Sequence, residues 1–135
     1  MGHVLSVGLD LVEVSRIEKS LERFGDRFLE RVFCEQEIFY CQAMKRPGVH
    51  LAARFAAKEA ASKCLGTGIG QAANWKDLEV VRRASGAPDL VLSGAAAQTA
   101  QVLGIDRILI SLTHTEHYAA ASAVAVGKNE GAPAS

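Results

Sequence analysis

The chain has 135 residues, of which 49% are hydrophobic, and its 15 basic and 15 acidic residues give a formal net charge of zero. That length fits one domain with a real core, and the hydrophobic content excludes a disordered chain. The charge balance excludes a general nucleic-acid binder, whose basic excess would show in the total, so an electrostatic partner must meet a local patch.

In chain order, residues 4–11 alternate and are rich in branched side chains, which predicts a strand ending near Asp10. Val14, Ile17, Leu21 and Phe24 then recur at helical spacing up to Gly25. Asp26 can cap a second short helix through Phe33, and a third is expected over 35–45, where Arg46-Pro47-Gly48 stops it. A helix over about 49–65 ends at Gly66, and the glycine-rich stretch 66–74 reads as a loop. Strands are predicted over 77–83 and 89–92 around the turn Ser85-Gly86-Ala87-Pro88. Ser93 is placed to cap a small-residue helix that closes at Gly104, and 107–113 with 118–126 make a last hairpin. The order is α+β, with a mainly antiparallel sheet packed against helices. One domain is expected over residues 1–127, with a mobile C-terminal tail over 128–135.

No apolar run approaches the roughly 18 residues of a membrane span, and the start Met1-Gly2-His3-Val4 lacks the charged and apolar stretches of a signal peptide. A cytoplasmic protein is therefore expected. Cys34, Cys41 and Cys64 match no paired zinc spacing and read as reduced, mostly core thiols.

Glu59 and Lys63 are four apart and share a helix face, yet Ala, Phe and Cys surround them and a glycine loop follows. Taken alone, this is an ordinary intrahelical ion pair. Asp10, at the change from strand to helix, serves equally as a turn residue or as a carboxylate facing a cleft. Were Asp10 and Glu59 to meet, they would suit a Mg²⁺ that keeps several waters and takes its other oxygens from a phosphate. His114, flanked by Thr113 and Thr115 at a strand end, makes a reasonable phosphate donor set; His114 and His117 do not make a zinc site, because three apart on an extended chain they point to opposite faces. The glycines of 66–70 match neither a Walker loop nor a dinucleotide fingerprint, but they allow backbone to approach a ligand. Arg16, Lys19, Arg23, Arg27 and Arg31 recur at steps of three or four, interleaved with Glu18, Glu22, Asp26 and Glu30. Such a stripe is either a solvated, ion-paired face or a surface that docks an acidic helix.

Three separated segments in order resemble the motifs of the small 4'-phosphopantetheinyl transferases of the holo-[acyl-carrier-protein] synthase family. They are Gly8-Leu9-Asp10-Leu11-Val12-Glu13-Val14-Ser15-Arg16-Ile17-Glu18, Arg54-Phe55-Ala56-Ala57-Lys58-Glu59-Ala60-Ala61-Ser62-Lys63, and Ile110-Ser111-Leu112-Thr113-His114 with Tyr118-Ala119-Ala120-Ala121. The resemblance spans residues 4–126 and implies the 4'-phosphopantetheinyl transferase fold. It also implies transfer of the phosphopantetheine arm of coenzyme A to a serine of acyl carrier protein, with release of adenosine 3',5'-bisphosphate, in fatty acid biosynthesis. By the same resemblance Asp10 and Glu59 would hold Mg²⁺ at the pyrophosphate, and Lys63 would stabilise the leaving group. Glu59 or a metal-bound water would take the serine proton. Arg54, His114 and Thr115 would contact coenzyme A, with Gly66 and Gly68 near its adenosine half. The family is typically a homotrimer with sites between subunits, and Arg16, Arg23 and Arg27 would then steer and seat the acidic carrier. The rival readings are a transferase for polyketide or peptide-synthesis carriers, usually twice this length in two similar halves, and a non-catalytic carrier-binding module.

Overall fold

The computed structural model describes residues 2–66, 68–70 and 73–128. Its elements are β1 (Val4–Glu13), α1 (Val14–Phe24), α2 (Asp26–Val32), α3 (Glu35–Gln42), α4 (Pro47–Cys64), a 3-10 turn (Trp75–Asp77), β2 (Leu78–Arg82), β3 (Pro88–Leu92), α5 (Gly94–Val102), β4 (Ile105–His114) and β5 (Tyr118–Gly127). The expected α+β order holds, and every strand pairing within the sheets is antiparallel. The strands form two sheets: a three-stranded sheet in the order β1-β5-β4 and a two-stranded β2-β3 hairpin.

Small residues decide how α4 lies on the larger sheet. Ala52, Ala53, Ala56, Ala57, Ala60 and Ala61 of the helix are buried, as are Ala119, Ala121, Ala123 and Ala125, the alternate residues of β5. Alternation puts these four on one face of the strand, and short side chains on both elements let helix and sheet approach closely. Gly8 is the tightest point. A Cβ there would stand 2.0 Å from the Ala60 carbonyl oxygen, so only glycine lets β1 pass under the helix. Asp10, two residues on, faces the same side.

The second tie is ionic. The Lys58 ammonium and the Glu37 carboxylate, both fully buried, lie 2.8 Å apart. Lys58 also donates to the carbonyls of Trp75, at 3.0 Å, and Leu78. Glu37 accepts from the backbone N–H groups of Cys34 and Val80, each at 2.8 Å. α3, α4, the 3-10 turn and β2 are thereby fastened through one satisfied network.

Several boundaries differ from expectation. β1 continues three residues past Asp10 because its pairing with β5 extends to Glu13 opposite Tyr118, so Asp10 stands inside a strand, opposite Ala121. Pro47 does not merely end α3, which stops at Gln42; it opens α4 in the first turn, where its missing N–H has no partner to lose. Asp26 is the first residue of α2 rather than its cap, a place taken by Gly25 at φ 56°. Ser93 occupies the cap position of α5 without a capping hydrogen bond from its side chain. The 3-10 turn was not expected; the Asn74 N–H donates to Asp77 Oδ2 at its start. Cys41 and Cys64 are buried and Cys34 half-buried, all as free thiols. Burial pushes the Cys41 thiol up to about 11. Thr67, Gln71 and Ala72 of the glycine loop, and residues 129–135 of the tail expected to be mobile, lie outside the described residues.

Candidate active site

α4 carries two charged stripes. Glu59 and Lys63, four apart, share one flank, and His50 and Arg54, four apart, share another; from Arg54 to Glu59 the helix turns by about 140°. Each stripe meets a different edge of the sheet.

On the first flank the crossing at Gly8 brings Asp10 to the end of α4. Lys63 Nζ donates to the Leu9 carbonyl at 2.7 Å and lies 3.4 Å from Asp10 Oδ1. The intrahelical Glu59–Lys63 pair is thus not the arrangement adopted: Lys63 reaches across to β1. Among the described residues Glu59 makes no salt bridge or side-chain hydrogen bond. Burial, and next the charge of Asp10, raise its carboxyl above the usual glutamate value, with Lys63 and Arg16 acting in the opposite sense. Two carboxylates from separate elements, one of them under electrostatic pressure from the other, fit a hard divalent cation that needs few protein ligands and keeps waters. No group of three or more His, Cys, Asp or Glu suited to a metal occurs among the described residues, which disfavours a closed all-protein cage rather than a two-carboxylate site.

On the second flank a pocket of about 280 Å³ is lined by Tyr40, His50, Arg54, Arg82, Leu112 and His114. The Tyr40 ring lies between two guanidiniums, Arg54 at 4.2 Å and Arg82 at 5.2 Å from its centroid. Arg82 Nη1 donates to Tyr40 Oη at 2.7 Å. His50 and His114 stack edge to face at 5.4 Å. Burial, then His114, Arg54 and Arg82, hold the His50 imidazole below its usual pKa. Arg54 is 5% exposed, and its buried Nε has no hydrogen-bond partner. A concave cluster of cations with an unsatisfied guanidinium N–H is built for an anion. Thr115, by contrast, spends its groups on the β4–β5 turn: its N–H donates to the Tyr118 carbonyl and its hydroxyl accepts from the Tyr118 N–H.

The predicted residues therefore fall into two groups that one chain does not join. Asp10 on β1 and His114 on β4 occupy opposite edges of the sheet with β5 between them, about 10 Å apart across the strands. Gly66 and Gly68, at φ 89° and 72°, follow α4 on the Lys63 side in backbone that glycine alone adopts freely. Arg16, Lys19 and Arg23 line a cleft with Leu11 and Phe24, and Arg27 and Arg31 a second one with Phe24 and Phe28. All five cations are exposed, and among the described residues none of them makes a salt bridge. Arg16 also lies over the Phe55 ring at 5.7 Å, close to the Glu59 flank. Sequence reading missed His50, Tyr40 and Arg82. His50 was discoverable from its spacing of four to Arg54, whereas Tyr40 and Arg82 converge only through tertiary packing.

The class of protein follows from the chain as a whole: residues 6–123 match the 4'-phosphopantetheinyl transferase superfamily, and the chain belongs to it. Within that class it is similar to holo-[acyl-carrier-protein] synthases. It is 50% identical over 121 residues to the holo-[acyl-carrier-protein] synthase of Koribacter versatilis, covering 90% of this chain and 97% of that one. The crystal structure of the Neisseria meningitidis synthase superposes with a TM-score of 0.84 at 31% identity, over 91% of this chain and 98% of that one. The Helicobacter pylori synthase, solved in complex with coenzyme A, gives 0.79 at 32% identity, over 89% and 99%.

Proposed function

We infer that the chain is a holo-[acyl-carrier-protein] synthase, which moves the 4'-phosphopantetheine arm of coenzyme A onto a serine of apo-acyl carrier protein and releases adenosine 3',5'-bisphosphate. The observation that carries this reading is the meeting of Asp10, Glu59 and Lys63 at the Gly8 crossing. The reaction joins a serine oxygen to phosphorus and breaks the pyrophosphate bond. Asp10 and Glu59 would hold Mg²⁺, which when bound neutralises charge on the pyrophosphate. Lys63, half exposed, meets charge developing on the departing phosphate. Glu59, a carboxylate whose side chain has no hydrogen-bond partner among the described residues, would accept the serine proton. Arg54 and His114 would hold phosphates of coenzyme A, and Gly66 and Gly68 would lie beside its adenosine half. Arg16, Arg23 and Arg27 would seat the acidic carrier. The reading places residues 1–127, as one catalytic domain, in fatty acid biosynthesis in the cytoplasm. No helix among the described residues is long and apolar enough to cross a membrane.

A homotrimer with sites between subunits is part of this proposal. Two observations support it. The anion pocket and the carboxylates lie on different flanks of α4, and the sheet face turned away from that helix is apolar and uncovered, with Val7, Leu9 and Leu11 of β1 about two-thirds exposed and Leu109 and Tyr118 beside them. Intact-mass measurement of apo-acyl carrier protein incubated with the chain, coenzyme A and Mg²⁺ tests the activity; the expected result is a mass gain of one phosphopantetheine, and no gain refutes it. Mixing inactive Asp10→Ala and Arg54→Ala subunits tests the shared site. Recovery of part of the activity is expected, and none in a verified mixed oligomer would show that each subunit works alone.

A further inference from the structure

Arg46, the residue before Pro47, joins three elements that the chemistry needs. Its Nε and Nη2 donate to the two carboxylate oxygens of Glu18 on α1, at 3.1 and 3.0 Å, and its Nη1 donates to the Glu116 carbonyl in the β4–β5 turn at 2.8 Å. The first residue of α1 is fastened to the same turn, its Val14 N–H donating to the His117 carbonyl at 2.9 Å. That turn follows His114.

Glu18 does more than pair. A Cβ built on Gly48 would stand 2.4 Å from Glu18 Cγ and 2.7 Å from Glu18 Oε2, so the glutamate occupies the space that any side chain at position 48 would need. Its carboxylate therefore lies over the first turn of α4, which has no acidic residue and no side-chain cap of its own. A neighbouring helix supplies the negative charge that the positive end of α4 favours. The Arg46 hydrogen bonds hold the Glu18 carboxyl below the usual glutamate value and keep it ionised. Both side chains are over a third exposed, so the pair adds little stability, but two-point guanidinium–carboxylate geometry fixes an orientation.

We propose that Glu18, Arg46 and Gly48 form a positioning clamp, which sets the angle of the carrier-docking helix α1 to α4 and the β4–β5 turn so that the carrier serine is delivered to Asp10 and Glu59. The clamp rests on the reading of Arg16, Arg23 and Arg27 as the carrier surface. It involves residues that touch neither substrate nor metal. Because a half-exposed ion pair holds only a modest bias between orientations, its loss should cost about three- to five-fold rather than abolish turnover.

The test uses the full chain, apo-acyl carrier protein and coenzyme A. Glu18→Ala and Gly48→Ala should each lower kcat/KM for the carrier about three- to five-fold, with the calorimetric Kd for coenzyme A unchanged. Glu18→Gln, which keeps the shape, should fall between them and wild type. Gly48→Ala must push the Glu18 side chain aside, so it disturbs the clamp without touching Arg16, Arg23 or Arg27. The decisive measurement is the double variant: once Glu18 is alanine, the three atoms nearest the new methyl, Glu18 Cγ, Cδ and Oε2, are gone, and Gly48→Ala should add no further loss. Wild-type carrier kinetics in Gly48→Ala, multiplying losses in the double variant, or an equal loss in coenzyme A affinity would each overturn the clamp. A parallel Arg23→Glu and Arg27→Glu variant separates the layers. If that charge reversal leaves carrier kinetics untouched, the docking reading falls and the clamp with it; if it raises the carrier KM while Gly48→Ala does nothing, only the clamp falls.

Discussion

Lys58 and Glu59 are adjacent on α4, and the molecule uses their charges in opposite ways. Lys58 points into the core, where its ammonium pairs with Glu37 and donates to two carbonyls, and no accessible surface is left. Glu59 is only partly buried, without a salt bridge among the described residues and with Asp10 adding like charge. The first arrangement is complete and therefore structural. The second is incomplete, and in the proposed function a divalent cation would supply the opposite charge it lacks. One residue of rotation along a helix, about 100°, separates architecture from chemistry.

The largest expected effect breaks the structural half. Lys58→Met leaves the Glu37 carboxylate buried without its cation and should cost about 3–5 kcal/mol in urea unfolding. Adding Glu37→Leu should recover part of that loss, because the uncompensated charge is gone while the Val80 and Cys34 N–H groups still lack an acceptor. A change below about 1 kcal/mol in the single variant would contradict the account of the network.

Breaking the chemical half should give the reverse pattern. Asp10→Ala and Glu59→Ala should each lower kcat about 10²–10³-fold while shifting unfolding free energy by no more than about 0.5 kcal/mol. EDTA should silence the wild type, with recovery on adding excess Mg²⁺. Near-normal turnover in either folded variant would remove that residue from the reaction.

The smallest effect sharpens the contrast through pH. With its carboxyl raised in the fold, Glu59 binds a proton more tightly in the native state than in the unfolded chain, so its contribution favours folding at low pH and is lost as pH rises from the ordinary glutamate value of 4.5 through the raised one. In metal-free buffer Glu59→Gln should therefore melt above wild type at pH 8, and the difference should vanish near pH 4. A variant less stable than wild type at pH 8 would show that the Glu59 charge is stabilised in the fold.

Much of this was legible in the chain itself. Periodicity fixed the element order because helix and strand repeats are local properties, and the spacing of four between Glu59 and Lys63 put them on one face before any fold was known. The three motifs identified the family for the same reason, each being a contiguous run. What the sequence alone could not determine were distances between runs. That Lys63 turns to Asp10 instead of Glu59 depends on the close passage of β1 under α4 at Gly8; that Lys58 is buried depends on a glutamate twenty-one positions earlier. The division of the site across α4, with Asp10, Glu59 and Lys63 on one flank and His50, Arg54 and His114 on the other, comes from the strand order β1-β5-β4, which places the two ends of the chain side by side. Contacts between distant segments are set by how the whole core packs, and only the tertiary structure decides them.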